Sequence, residues 1–212
     1  MTESKLDFSV LLSVYKQEKP VFLEQALASI WDKQLLKPSE IVIVMDGPLT
    51  EQLEKVIIDF SKNATVNLLR LPRNMGLGIA LARGLEACSN EIVARMDSDD
   101  IALSERFQKQ IEFMRTNPDI SFSSGYIAEF SDSVENISGI RKVPCTFERI
   151  TKFTKFRNPM NHMSVAFRKT DVLASGSYMD FPGYEDYYLW VRMLQKGYRA
   201  GNIDENLVYA RI

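Results

Sequence analysis

Cysteine is scarce, with only Cys88 and Cys145 in 212 residues. Two thiols so placed form neither a disulfide framework nor a metal-ligand spacing, which points to a reducing compartment. Long apolar runs are missing too. None approaches the roughly 18 residues of a membrane span, and the opening MTESKLDF has no apolar leader core, so a cytoplasmic location is expected. There is no excess of positive charge. Lys and Arg number 26 against 28 Asp and Glu, scattered to a net charge of -2, which argues against nucleic acid as the main partner. Internal repeats and low-complexity tracts are absent. Standard phosphate-loop patterns are absent as well: PRNMGLG lacks a Gly-Lys-Ser/Thr ending and does not match Gly-x-Gly-x-x-Gly.

What is present is ordinary globular composition, 45% hydrophobic, 25% charged and 10% aromatic, in a length that fits one domain with a substantial core. Apolar runs at Phe8 to Tyr15, Glu40 to Met45, Thr65 to Leu71 and Ile92 to Met96 read as strands. Between them lie helical patterns: Pro20 to about Gln34, a helix from about Thr50 burying Leu53, Val56, Ile57 and Phe60, and ALARGLEAC. Alternation of this kind predicts an α/β fold with a mostly parallel, Rossmann-like sheet flanked by helices, whose ligands sit beyond the carboxyl ends of the strands. The rest reads as a helix Leu103 to Thr116, one long strand Ile120 to Phe130, and a polar loop Ser131 to Cys145. A helix Phe147 to Phe156, a strand Met163 to Phe167 and a helix Lys169 to Ala174 follow, then a last helix with Leu189, Val191/Arg192 and Leu194 inside.

Tyr15, Asp46, Arg73 and Asp97 all fall at expected strand ends. After the fourth strand come three carboxylates, Asp97, Asp99 and Asp100. Like charges this close raise one another's pKa unless a cation lies among them, and Mg2+ or Mn2+ with oxygen ligands relieves the repulsion. The plainer reading is an acidic turn capping the next helix through Asp100 or Ser104. A second acidic pair, Glu185 and Asp186, opens the last helix, where the dipole favours ionised acids. One acid would cap; two suggest that one is free to take a proton from a hydroxyl. In PRNMGLG, Arg73 and Asn74 offer donors and the glycines allow close approach to an anion, although a plain helix start with an exposed arginine is equally simple. Asp46 can accept from a base N-H, and the Tyr15 ring can stack on a pyrimidine. Jointly these describe a nucleotide-diphosphate pocket.

On these residues the chain resembles the family 2 glycosyltransferases of GT-A fold. The likeness runs from Phe8 to about Arg211 through SVLLSVYKQ, IVIVMDG, PRNMGLGIALARG, DSDD and YEDYYLWVRM, while NPMNHMSVAFRK resembles bacterial exopolysaccharide enzymes of the amylovoran-synthesis type. The resemblance implies an inverting hexosyltransferase for exopolysaccharide, capsule or O-antigen synthesis, using a UDP-sugar donor and a saccharide acceptor that is lipid-linked. It implies Tyr15 on the uracil, Asp46 on its N-H, Arg73 and Asn74 near the base or diphosphate, Asp97 on the ribose, and Asp99 on Mn2+ or Mg2+. Asp186 is then the general base, with Glu185 orienting the acceptor. One domain is expected over 1–212, donor-binding to about 100 and acceptor-binding beyond. Members usually run further, so the chain is read as shortened at its C-terminus.

Two other classes compete. A nucleotidyltransferase shares sheet and metal but wants glycines after the first strand, where VYKQEKP has none. A metal- or nucleotide-sensing module without turnover would not need Glu185 and Asp186. His162, the single histidine, can line the acceptor cleft, serve as a distant metal ligand or be structural. Lys152, Lys155 and Arg157 can dock peripherally on a membrane or simply form a solvated helix face.

Overall fold

The computed structural model describes residues 7–212; the first six residues of the opening read above as leaderless lie outside them. The first half follows the expected alternation: β1 (Ser9–Val14), α1 (Pro20–Ile30), β2 (Glu40–Met45), α2 (Glu51–Ser61), β3 (Val66–Arg70), α3 (Leu77–Ala87) and β4 (Ile92–Met96). β1 pairs in parallel with β2 and with β4, and β2 in parallel with β3. β1, β2 and β4 are buried on both faces, while β3 is a partly exposed edge strand. Val10, Leu12, Ile41, Ile43 and Met45 pack toward Leu23 and Leu27 of α1 and Leu53 and Ile57 of α2. Leu11, Val42 and Val44 pack toward Ala80, Leu81 and Leu85 of α3. Unbroken apolar runs are what two covered faces require. α2 is capped as its sequence suggests, the Thr50 hydroxyl accepting from the Leu53 N-H at 3.3 Å.

The second half runs β5 (Ile101–Ala102), α4 (Arg106–Thr116), β6 (Ile120–Ser123), β7 (Gly125–Phe130), β8 (Ile137–Arg141), α5 (Phe147–Phe153), a 3-10 turn (His162–Ser164), β9 (Ala166–Arg168), α6 (Lys169–Ala174), α7 (Glu185–Gln195), β10 (Arg199–Ala200) and β11 (Ile203–Arg211). The main sheet has the order β10-β6-β9-β4-β1-β2-β3, with β9 antiparallel to both neighbours; a second sheet has the order β5-β11-β7-β8. The chain steps outward from β1 to β3 and then returns to the other side of β1. That reversal of strand order opens a crevice at the carboxyl ends of β1 and β4.

Four expectations need correction. The strand expected over Met163 to Phe167 begins as the 3-10 turn His162–Ser164, and only Ala166–Arg168 is strand. The single strand over Ile120 to Phe130 is two strands in different sheets. Ser124 turns the chain between them, its N-H and hydroxyl both donating to the Asn202 side-chain oxygen at 2.7 and 2.9 Å. The loop Ser131 to Cys145 contains β8, an edge strand reading ISGIR whose exposed residues give no apolar period. The buried face of α7 is Leu189, Trp190 and Met193, not Val191/Arg192 and Leu194. Trp190 sets that rotation by stacking on Phe122, with ring centroids 5.1 Å apart.

Candidate active site

A cleft of about 490 Å³ occupies the strand-order reversal, lined among others by Tyr15, Asp46, Asn74, Asp97 and Asp99. Five of the anticipated residues therefore meet in one place. Arg73 is exposed and does not line the cleft. Asp46 has a task the sequence did not reveal: its two carboxylate oxygens accept the Met75 and Gly76 N-H groups at 2.7 and 3.1 Å and pin the PRNMGLG loop over the sheet. Gly47 makes that possible. Its φ is +86°, and a Cβ there would lie 2.5 Å from the Asn74 nitrogen. Gly47→Ala is expected to destabilise the fold by about 1–3 kcal/mol, measurable by thermal or urea melts; an unchanged melt would refute the close contact.

The acidic turn after β4 is built from beneath. Arg95, buried in mid-strand, points the same way as Asp97 two residues later and grips its carboxylate with both terminal nitrogens, Nη1 to Oδ2 at 2.5 Å. Burial works against the Arg95 charge, but Asp97 outweighs it and holds the guanidinium above its ordinary value. Asp100 does not cap α4, which begins at Arg106 without a side-chain cap. It accepts the Arg211 N-H at 2.8 Å, and burial, then Asp97, push its pKa up to about 8. Arg211 also donates to the Asp99 carbonyl at 3.1 Å, and its guanidinium lies over the rings of Phe22 and Phe130. β11 thus latches the turn from below. Asp99 is left facing the cleft. Burial first, then Asp97 and Glu18, raise its pKa to about 6, so it is the carboxylate best placed to hold a cation.

Glu185 and Asp186 begin α7 outside the lining of that cleft. Gly78, in the first turn of α3, admits Glu185 and the chain before it: a Cβ there would lie 2.1 Å from the Met179 carbonyl oxygen and 3.4 Å from the Glu185 Cβ. Glu185 is buried, whereas Asp186 is partly open and accepts from the Asn158 side-chain amide at 2.6 Å through Oδ2. Buried Tyr178 lies between the two acidic groups. Its phenol is held above its ordinary range by burial, with Asp186, Asp97 and Glu185 adding to the shift against Arg95. His162 pairs with the Tyr178 hydroxyl at 3.1 Å and packs against Trp190. Burial and Arg95 keep its pKa well below the ordinary value, which favours the neutral ring in this packed position.

Sequence reasoning missed Glu18, Ser13 and Ser98, which also line the cleft, as well as Arg95, Asn158 and Arg211. Arg95 left a signal, an arginine inside an apolar strand two residues before an acid.

The mostly parallel sheet, opened at its strand-order reversal by a carboxylate-lined cleft, has the GT-A fold of the solved glycosyltransferases that it resembles. Residues 9–175 match Glycosyl transferase family 2, and the chain belongs to that family. It is 41% identical over 204 residues to the amylovoran biosynthesis glycosyltransferase AmsE of Erwinia amylovora, covering 96% of this chain and 76% of that one. It is 38% identical over 211 residues to the UDP-Gal:alpha-D-GlcNAc-diphosphoundecaprenol beta-1,3-galactosyltransferase of Escherichia coli, covering 100% and 76%. Among solved structures, S. aureus TarS 1-349 in complex with UDP-GlcNAc shares the fold, with a TM-score of 0.70 at 19% identity over 97% of this chain and 58% of that one.

Proposed function

We propose that the protein transfers a sugar from a UDP-sugar to a hydroxyl of a lipid-linked saccharide, with inversion, at the cytoplasmic face of a bacterial membrane during exopolysaccharide, capsule or O-antigen synthesis. The observation that carries this is the approach of two acidic groups: the turn at Asp97 and Asp99 lines the cleft, Glu185 at the start of α7 packs against Gly78 of the PRNMGLG loop with Asp186 next to it, and Tyr178 feels the charge of both groups. The galactosyltransferase relative supports a lipid-diphosphate acceptor and a UDP donor.

Tyr15, 42% exposed at the cleft mouth, stacks on the base. Asp46 retains lone pairs beyond its two loop bonds for a base N-H, and Asn74 lines the diphosphate end, with Arg73 supplying charge from outside. Asp97, already neutralised by Arg95, accepts from ribose hydroxyls.

The residues present fit a hard divalent cation. Asp99 is a carboxylate whose proton affinity is raised by burial first and then by Asp97 and Glu18, and a cation relieves the crowding of these charges. Among the described residues no group of three His, Cys, Asp or Glu is arranged as a cation site. Mg2+ and Mn2+ need none where one or two carboxylates share the ion with phosphate oxygens. Asp99 would hold the ion, whose chemistry there is to neutralise charge on the diphosphate.

Asp186 acts as general base. Asn158 occupies Oδ2 and fixes the carboxylate, leaving Oδ1 to accept the acceptor's hydroxyl proton. The freed oxygen attacks the anomeric carbon from the side opposite the diphosphate, the bond to the diphosphate oxygen breaks, and UDP leaves. Glu185, buried beside Gly78, orients the acceptor.

A thermal-shift panel of UDP-, GDP- and dTDP-sugars with and without Mn2+ tests the reading. A UDP-sugar with Mn2+ at a hundredfold over its Kd is expected to stabilise by about 2.7 kcal/mol, a rise of about 5–11 °C. A rise with GDP-sugars alone would exclude UDP, and none with any donor would exclude a nucleotide-sugar enzyme.

A further inference from the structure

Several basic side chains of the described surface have acidic partners: Lys62 with Asp59, Arg70 with Glu54, Arg115 with Glu112, Arg199 with Asp119. One segment gathers cations with almost no acid beside them. Between the end of β8 and the turn after α5 stand Arg141, Lys142, Arg149, Lys152, Lys155 and Arg157 against Glu148 alone, in a chain of net charge -2. Arg149, Lys152, Lys155 and Arg157 are exposed and have no salt bridge among the described residues. Like charges gathered without counter-charges repel, so the arrangement favours an external anion.

The same face is aromatic. Phe156, between Lys155 and Arg157, is 83% exposed. The Tyr187 hydroxyl donates to the Thr154 carbonyl and fastens the end of α5 to α7. Lys155 and Val191 line one shallow hollow, and Val191 also lines the next, with Phe181, Tyr184 and Tyr188. These three rings are 49%, 59% and 39% exposed, with Phe181 and Tyr188 packed 5.2 Å apart. Contiguous exposed apolar surface marks an interaction site, and rings beside free cations suit one partner in particular, the headgroup region of an anionic bilayer. No helix among the described residues is long and apolar enough to cross a membrane, so what they offer a bilayer is a face.

Position ties this face to the chemistry. Asn158, immediately after Arg157, is the residue that donates to Asp186. We propose that the face formed by the end of α5 and the start of α7 docks on an anionic phospholipid membrane, the rings at headgroup depth and the cations on lipid phosphates. A saccharide on a lipid diphosphate then reaches Asp186 while its lipid stays in the bilayer. The inference rests on the lipid-linked acceptor proposed above.

Flotation of the chain with vesicles tests it. Binding is expected to phosphatidylglycerol-containing phosphatidylethanolamine vesicles and not to pure phosphatidylcholine, with release by high salt. Lys152→Glu, Lys155→Glu and Arg157→Glu together should lower the bound fraction about tenfold or more. Phe156→Ala should lower it too, while Lys62→Glu on α2 should leave it unchanged. Melting curves and UDP-sugar binding of each variant establish that it is folded. Absence of wild-type binding to the anionic vesicles, equal binding to both compositions, or wild-type binding by the folded triple variant overturns the proposal. An acidic protein as the true partner would give the first of these. Vesicle binding without any nucleotide-sugar binding would sink the enzymatic reading and spare the docking face; donor binding without vesicle binding would do the reverse.

Discussion

Asp186→Asn is expected to lower kcat by about 10^2 to 10^4-fold while leaving UDP-sugar affinity within a few-fold of wild type, since that is the usual cost of losing a general base. The substitution is nearly isosteric, and the new amide oxygen can still accept from Asn158, so the fold should be undisturbed. What is lost is the anionic oxygen that takes the proton. If Asp186 served only the first turn of α7, the cost would be a loss of about 0.5–1 kcal/mol of stability with turnover intact. The two readings therefore separate in a single pair of measurements, a melt and a kcat. Asn158→Ala leaves the carboxylate but frees its orientation, and should cost about tenfold in kcat with the donor KM unchanged. A kcat for Asp186→Asn close to wild type would remove that residue from the role.

The donor half of the molecule was legible because its physics is local. Strands buried on both faces must be apolar throughout, so β1, β2 and β4 stand out, and the polar residue that ends each run falls at the sheet's carboxyl edge. Tyr15, Asp46, Asp97 and Asp99 were found this way. The acceptor half obeys long-range rules. β8 and the start of β11, which reads IDEN, lie in a small sheet whose exposed strands need no apolar period, and the Ser124 turn exists because Asn202, far along the chain, accepts from it. Roles resting on partners distant in sequence were equally hidden. Nothing around Asp46 announces that it binds the Met75 and Gly76 N-H groups, and Glu18 looks like any acid in a polar loop until its neighbours Ser98 and Asp99 are seen. Arg95 was the legible residue that went unread, since alternation alone puts it on the Asp97 side.

Asp99→Asn is expected to abolish the Mn2+-dependent part of UDP-sugar binding without harming the fold, and its pH dependence separates a cation ligand from a structural acid. Burial, and then Asp97 and Glu18, push the Asp99 carboxyl from its ordinary range up to about 6 in the folded protein. A carboxyl raised in this way stabilises the metal-free protein fully below about pH 4 and loses that contribution as pH rises through 6. At pH 7 the ionised group therefore works against folding, by on the order of 1 kcal/mol given its partial exposure to solvent. Asparagine removes the charge, so without metal the variant should melt at or above the wild-type temperature at pH 7 and lose this advantage near pH 4. Mn2+ with UDP should reverse the ranking by stabilising the wild type alone. Wild-type metal-dependent binding should also weaken as pH falls through 6, where protonation takes the ligand away. Calorimetry showing equal Mn2+-dependent affinity in the two proteins would exclude Asp99 as the ligand. A variant less stable than wild type at pH 7 without metal would instead mean that its carboxylate is needed for the acidic turn to fold.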